Sequence, residues 1–563
     1  MLRPSVYLLR TVTANQHTIV ASVMVIVGLY VVHLSKYEIQ PWDEGLYAVR
    51  GESIVRFGNI IDQSEHALGG EYSSTPPPMA SWGVALGIAA FGRNTFGVRV
   101  FSIVCSAICL LALYSICVRH LSHRSSLIAV ILLATAIPWV VYSRQAMSEI
   151  PLITGMLLCW SALYLAANNR IKNNLLIAVA LFAAGFAAAL LSKYVIGFLP
   201  LVLIILVWEN SRAKKTFLVG GLIGFALAMP WFVWMAINHQ AAFIDAIVLR
   251  HLTEVVEGNS GGGNYLYTLN QLIVGQPAFI IAIGSVIALT RTLRKSFDSE
   301  PWVVVAMLWF SIGLVVFTLS ATKNPHYVVL LLPPAAMLTL WAYERVTRRL
   351  KTASVYILCA IVWTTAVWSA LPSLRGDVKA LHFSPLVFVS IAFIAAAVFF
   401  VIVFHRKKFF DGVTMRMVQY SLVGLCIVGF TRAAFVVWKG RPDDIKGGKA
   451  VAAQLLESTP FNKHFAYLFH AQNVADSINP QLAWYTAGWM SNWDSSYTYT
   501  PHAMPNDSAD VGIAATTVYQ MPLYIVYYHP GIAKEQQQLV ATTAALLYDV
   551  AEESGVYTLF RRR

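Results

Sequence analysis

The chain has 563 residues, of which 57% are hydrophobic and 12% charged, with a formal net charge of +13. A soluble domain carries roughly a quarter charged residues, so this composition excludes one and indicates a polytopic membrane protein. The basic excess lies mostly in short loops between apolar runs, which makes it a signal of topology rather than of nucleic-acid binding.

In chain order, apolar runs fall near residues 19–35, 99–118, 126–142, 150–167, 175–191, 195–208, 216–237, 273–290, 302–320, 326–343, 352–371, 384–404 and 417–437. Most meet the length of about 20 residues that a helical span needs, the run at 195–208 being short, and together they predict about thirteen spans. Alternate loops are basic: Arg119–Arg124, Arg170–Lys172, Arg212–Lys215, Arg291–Lys295, Arg345–Lys351 and Arg406–Lys408, with Arg3 and Arg10 at the N-terminus. Basic loops stay in the cytoplasm, so an odd span count places the C-terminal tail outside. The first run lacks a small-residue cleavage site and reads as an uncleaved anchor. Cys105, Cys109, Cys117, Cys159, Cys359 and Cys426 all fall within apolar runs, as small buried hydrophobes rather than disulfide or metal ligands.

The first external loop, residues 36–98, is long. Tyr47, Ile54, Phe57 and Ile61 recur at helical spacing and predict an interfacial helix starting near Asp43. A second apolar stretch, Pro76 through Phe91, is too short for a span and predicts another surface element. A further external segment, 238–272, is interrupted by Gly261-Gly262-Gly263. The chain thus divides into a membrane domain, 1–437, and an external α/β domain, 438–563. In the latter, Phe465–Phe469, Pro522–Tyr528 and Val556–Phe560 read as strands, with Lys534 to Tyr548 between the last two.

Threading the spans brings six polar loops to one side. Asp43 and Glu44 suit the first turn of a helix, where carboxylates oppose its dipole, and equally suit acid-base chemistry. Ser143 to Pro151 adds Arg144 and Glu149, although Ser148, Glu149 and Pro151 also form a helix start. Lys193 and Lys323 flank span ends, where a lone lysine ordinarily snorkels. Arg250 supplies a guanidinium suited to phosphate, and His251 an imidazole able to bind metal or share a proton. Acids and cations gathered at one membrane face predict a site for an anionic lipid-linked substrate.

Trp42 to Ala48, Tyr72 to Pro78 with Trp82, Arg144 to Leu152, and Thr322 to Tyr327 with Pro333 resemble, in that order, the motifs of GT-C membrane glycosyltransferases. The similarity is to bacterial relatives of protein O-mannosyltransferases and of the lipid A aminoarabinose transferase, over essentially the whole membrane region. It implies an all-α bundle of about thirteen transmembrane helices with a small C-terminal α/β periplasmic domain, in the bacterial inner membrane. It also implies transfer of a sugar from a polyprenyl-phosphate donor to lipid A or another glycolipid, a cell-wall glycan or a protein, by inverting displacement. Asp43 then matches the catalytic aspartate. Glu44, Tyr47, Arg144, Lys193, Arg250, Lys323, His326 and Tyr327 are candidates for substrate or phosphate binding, with Glu149 and His251 as candidate ligands of a divalent metal.

Two departures stand out. Ser74-Thr75 occupies the place of a Glu-Lys pair found in aminoarabinose transferases, and Arg250 precedes His251 where that branch has a downstream arginine. Both put aminoarabinose in doubt as the sugar. The chain carries no Gly-rich loop between strand and helix, so no nucleotide cofactor is expected. The rival readings are a transporter or flippase of lipid-linked saccharides and a non-catalytic binder of them.

Overall fold

The computed structural model describes residues 6–64, 76–167, 174–207, 210–245, 266–290, 296, 299–345, 359, 362–363, 410–439, 446–458, 463–470, 479–486, 497–504, 524–530 and 532–563. The chain is a multi-pass membrane protein, mostly helical, with a small C-terminal sheet.

α1 (Val6–Val31) leads into the long first loop, where α2 (Asp43–Phe57) begins directly after Trp42 and stops at Gly58. Gly58 adopts the left-handed conformation (φ 78°) that a helix C-terminus favours in glycine, and its N–H bonds the Ile54 carbonyl. α3 (Met79–Phe91) packs on α2 and on α4 (Thr95–Cys117), whose first turn is capped by the Asn94 side chain. Helices expected near Asp43 and within Pro76–Phe91 are thus present as α2 and α3, but α2 ends at Phe57, short of Ile61, and is mostly buried.

Next come α5 (His123–Ala134) and α6 (Ile137–Ser143), bent against each other by 66°. The single straight span expected at 126–142 is thus broken, with Pro138 opening the second piece. α7 (Glu149–Ala167) and α8 (Asn174–Leu190) follow and pack closely. The short run near 195–208 is a 3-10 helix, Val195–Leu206. At about 2 Å per residue it extends further than an α-helix of the same length, roughly 24 Å against 18 Å.

α9 (Ser211–Ile244), α10 (Tyr267–Gly275), α11 (Ile280–Thr290), α12 (Pro301–Leu319), α13 (Leu332–Arg345) and α14 (Phe410–Lys439) complete the bundle. A 3-10 turn, Pro325–Leu331, leads into α13. Among the described residues six helices are long and apolar enough to cross a membrane, or seven with the bent pair. Five further apolar helices are shorter, and the runs at 352–371 and 384–404 lie outside the described residues apart from Cys359, Val362 and Trp363.

The C-terminal domain comprises α15 (Gly448–Ser458), β1 (Lys463–His470), α16 (Pro480–Thr486), β2 (Tyr497–Met504), β3 (Tyr524–Tyr528), α17 (Lys534–Ala544), β4 (Tyr548–Ser554) and β5 (Tyr557–Arg562). Its five-stranded sheet has the order β2-β1-β3-β5-β4, with β1 parallel to both neighbours and β5 antiparallel to both of its own. The three strands read from the sequence are the inner ones. The two edges, β2 and β4, were not anticipated.

This domain is not an appendage. One apolar core joins Tyr47, Val49 and Val84 of the first-loop helices to Leu455, Leu482, Trp484, Tyr524 and Leu559 of the C-terminal domain. Polar ties reinforce it. Arg93 pairs with Glu52 at 2.6 Å, donates to the Trp484 carbonyl and lies over its indole. The Glu38 carboxylate accepts the backbone N–H groups of Gly447 and Lys449, at the start of α15.

Candidate functional site

The sequence Asp43-Glu44-Gly45 sends three consecutive residues to three different tasks. Gly45 faces α16: a Cβ there would lie 2.8 Å from the Gln481 nitrogen and 3.0 Å from the Pro480 carbonyl carbon, so only a glycine allows this approach. Glu44 is 1% exposed and forms a two-pronged ion pair with Arg99, at 2.6 and 2.8 Å. It also accepts the backbone N–H groups of Gln40 (2.7 Å) and Ala146 (3.2 Å). Arg99 in turn donates to the carbonyls of Leu34, Tyr37 and Glu38. Glu44 thereby fastens the loop before α2 to α4 and to the segment entering α7, which is a structural assignment rather than substrate contact.

Asp43 is different. Among the described residues its carboxylate makes no hydrogen bond or ion pair, and the residue is half-buried at the first position of α2. Trp42 before it sits at φ 65°, a conformation that is strained for a non-glycine residue and that turns the chain sharply into the helix. Asp43 lies within electrostatic range of Tyr47, one turn along α2, and of His326.

Around it, three loops converge. The Tyr47 hydroxyl bonds Ser148 at the entrance to α7. Glu149, 3% exposed, pairs through Oε1 with the Lys193 ammonium and stands 3.6 Å from His326 Nε2. Lys193 also lies 5.2 Å from the centre of the Tyr327 ring. His326 and Tyr327 meet edge to face at 4.7 Å, and Tyr142 meets His326 in the same way at 6.0 Å. The turn carrying Lys193 is held against the proline-rich stretch by the Met79 N–H, which donates to the Leu191 carbonyl at 2.9 Å.

The electrostatics follow from burial. Desolvation pushes the Tyr47 hydroxyl up to about 12, with Asp43 adding to the rise and Ser148 and Arg50 opposing it. Burial would lower the Lys193 ammonium, but Glu149 and then Tyr327 outweigh it and hold it above the usual lysine value. Tyr47 therefore remains a hydroxyl donor and Lys193 a cation. The second Glu149 oxygen, Oε2, is buried without a hydrogen-bond partner among the described residues. A carboxylate oxygen so placed can accept from a bound hydroxyl or amine.

The other sequence candidates are placed elsewhere. Arg144 donates to the carbonyls of Tyr30 (3.0 Å) and Val32 (2.8 Å), fastening the end of α1. Lys323 caps the end of α12 through the Phe317 and Thr318 carbonyls. Arg250 and His251, with Ser74-Thr75, lie outside the described residues. No group of three or more His, Cys, Asp or Glu suited to a metal occurs among the described residues. Glu149 Oε1 already holds the Lys193 ammonium, and His251, the other expected metal ligand, lies outside the described residues. Sequence reasoning missed Arg99, Arg93 and Arg50, of which Arg99 opens an apolar run and the others lie in the long first loop.

Residues 75–234 match the family described as dolichyl-phosphate-mannose-protein mannosyltransferase. Over 323 residues the chain is 26% identical to the undecaprenyl phosphate-alpha-4-amino-4-deoxy-L-arabinose arabinosyl transferase of Pseudomonas paraeruginosa, covering 55% of this chain and 56% of that protein. It is 24% identical to an uncharacterized protein of Aquifex aeolicus, over 61% of this chain and 66% of the other. The chain thus spans between about half and two thirds of the length of these relatives. The crystal structure of ArnT from Cupriavidus metallidurans bound to undecaprenyl phosphate superposes with a TM-score of 0.62 at 16% identity, covering 97% of this chain and 98% of that one. Its apo form gives a TM-score of 0.63.

Proposed function

We infer, for a chain whose residues 75–234 match the dolichyl-phosphate-mannose-protein mannosyltransferase family and whose fold is ArnT-like, a glycosyltransferase of the GT-C class. Its donor is a sugar carried on a polyprenyl phosphate, and its acceptor is an envelope glycolipid, glycan or protein. The observation that carries this reading is the contrast between neighbouring acids: Glu44 is locked to Arg99, whereas Asp43 makes no hydrogen bond or ion pair among the described residues and lies within electrostatic range of Tyr47 and His326.

In this mechanism the acceptor hydroxyl attacks the anomeric carbon while Asp43 takes its proton. The new carbon–oxygen bond forms as the bond to the phosphate oxygen breaks, and polyprenyl phosphate leaves from the opposite face, inverting the centre. Tyr47 donates a hydrogen bond within the site. The Glu149–Lys193–His326 group positions the sugar, with Glu149 Oε2 as an acceptor. The site and the C-terminal domain face the periplasm, with about thirteen spans in all. Such an arrangement suits a donor delivered by the membrane.

Mass spectrometry of envelope glycolipids, glycans and glycoproteins from cells with and without the gene tests this. Loss of one defined sugar modification is expected. An unchanged envelope with accumulation of a lipid-linked saccharide on the cytoplasmic leaflet would overturn the enzyme reading in favour of transport.

A further inference from the structure

Asp43 follows Trp42, whose left-handed backbone (φ 65°) costs free energy in any residue that carries a side chain. Such a conformation persists only where its surroundings hold it from several directions. One set of holds comes from the helical bundle. Arg99 of α4 donates to the carbonyls of Leu34, Tyr37 and Glu38 and pairs with Glu44, whose carboxylate accepts the Gln40 N–H.

The opposing set belongs to the C-terminal domain. Near the end of α16 the Tyr485 hydroxyl accepts the Ile39 N–H at 2.8 Å. At the start of the same helix Pro480 and Gln481 lie against Gly45, too close to admit a Cβ. One short helix thus meets the chain at residues 39 and 45, and Trp42 and Asp43 lie between the two contacts. α16 is itself firmly seated. Tyr557 of β5, fully buried, donates its hydroxyl to Asn479 Oδ1 at 3.0 Å and accepts from Gln481 Nε2 at 3.1 Å. Asn479 Oδ1 also accepts the Leu482 N–H at 3.2 Å, inside the first turn. Arg93 donates to the Trp484 carbonyl and lies over its indole, which ties α16 to the residues after α3.

We propose that Tyr485 is a positioning residue for Asp43: through the Ile39 N–H it holds the strained turn that sets Asp43 at the start of α2. This rests on the reading of Asp43 as the base. Tyr485 acts through backbone and lies 446 positions along the chain from Ile39, so the C-terminal domain takes part in the reaction by fixing where the base stands. A reacting group held to a fraction of an ångström transfers its proton far faster than one that drifts.

The test compares wild type with Tyr485→Phe, which keeps the ring and removes the oxygen that accepts the Ile39 N–H. Three quantities are read on the full chain: the rate at which the modified envelope product appears in deletion cells carrying equal amounts of each protein, affinity for undecaprenyl phosphate in nanodiscs, and hydrogen exchange of the amides of residues 39–46. Turnover should fall roughly tenfold or more, affinity should stay at the wild-type value, and exchange within 39–46 should quicken. Wild-type turnover would overturn the proposal. So would a loss of affinity equal to the loss of turnover, or unchanged exchange, since either would mark the hydroxyl as acting otherwise than by holding this turn. Gly45→Ala, which presses on α16 at its other contact, is read in the same way and decides if Tyr485→Phe does not fold. A wild type that forms no modified product would instead overturn the transfer reading itself, and a fully active Asp43→Asn protein the assignment of the base, each taking Tyr485 with it.

Discussion

Replacing the two adjacent acids one at a time separates chemistry from folding. Asp43→Asn removes a carboxylate without a hydrogen bond or ion pair among the described residues, so the structural loss is its favourable place at the start of α2, about 0.3–1 kcal/mol. If it is the base, turnover should fall by about 10²–10⁴, equivalent to roughly 2.7–5.5 kcal/mol of barrier. Glu44→Gln has the opposite profile. It leaves the Arg99 guanidinium, 3% exposed, without its countercharge and weakens contacts at 2.6 and 2.8 Å, at a cost of about 3–5 kcal/mol. The assay pairs thermal unfolding of the purified proteins with quantitative mass spectrometry of the modified envelope product in complemented deletion cells. A fully active Asp43→Asn enzyme would refute the assignment of the base. A Glu44→Gln protein as stable as wild type would refute the division of labour between the two acids.

Other substitutions probe the remaining joints. Gly45→Val drives side-chain atoms into the backbone of α16, 2.8 Å from the Gln481 nitrogen, and should cost about 1–3 kcal/mol while exposing new proteolytic sites in the C-terminal domain; a wild-type digestion pattern would contradict the docking. Lys193→Met strands Glu149 without its ammonium and should destabilise by about 3–5 kcal/mol, with Glu149→Gln on the same chain restoring part of the loss; additive effects in the double variant would show that the two do not act as a pair. Tyr47 and Lys193 both have raised values in the folded chain, so their stabilisation is complete below their unfolded values, about 10 and 10.4, and is lost only as pH climbs through the folded ones. Melting temperature should therefore be flat from about pH 7 to 9 and fall above about pH 10. A fall within the flat range that Tyr47→Phe or Lys193→Met abolishes would count against these environments.

What could be read in advance depended on how local its cause was. The start of α2 was legible because two first-turn acids and an apolar stripe are neighbours in sequence. Convergence of Asp43, Glu149, Lys193 and His326 was legible too, since loop charge alternation fixes which loops share a side. The fate of Glu44 was not, because Arg99 lies 55 positions away at the edge of an apolar run. Arg144 likewise reaches carbonyls 112 and 114 positions back. Lys323 was legible in kind: a lysine flanking a span end does turn back along its helix. In the sheet, inner strands betray themselves by apolar character, whereas β2 holds Pro501 and β4 holds Asp549, Glu552 and Glu553. Each edge strand pairs on one side alone, so such residues are tolerated there and mute the signal.

A transporter would place ionisable and helix-breaking residues along a route through the spans. Features of that type do occur here: the bend between α5 and α6, the break after Gly275, and Arg432 within the apolar stretch of α14. Among the described residues, side chains at these places bond backbone carbonyls. At the end of α5 the Tyr30 hydroxyl donates to the Ala134 carbonyl at 2.5 Å, Thr135 to Ile131 at 2.7 Å, and Gln276 to Leu132 at 3.1 Å. Arg432 donates to the Val274 carbonyl at 2.9 Å, across the break in the next segment. Gly429, one turn earlier, packs so closely that a Cβ there would stand 2.6 Å from Thr135 Oγ1. A kinked helix frees carbonyls that hydrocarbon cannot solvate, and neighbouring donors supply the bonds. The cluster is a joint that holds the bend, and α6 beyond the bend carries Tyr142 to its contact with His326. The helix-breaking residues in the membrane thus serve the surface site, which favours chemistry at that surface over passage through the bundle.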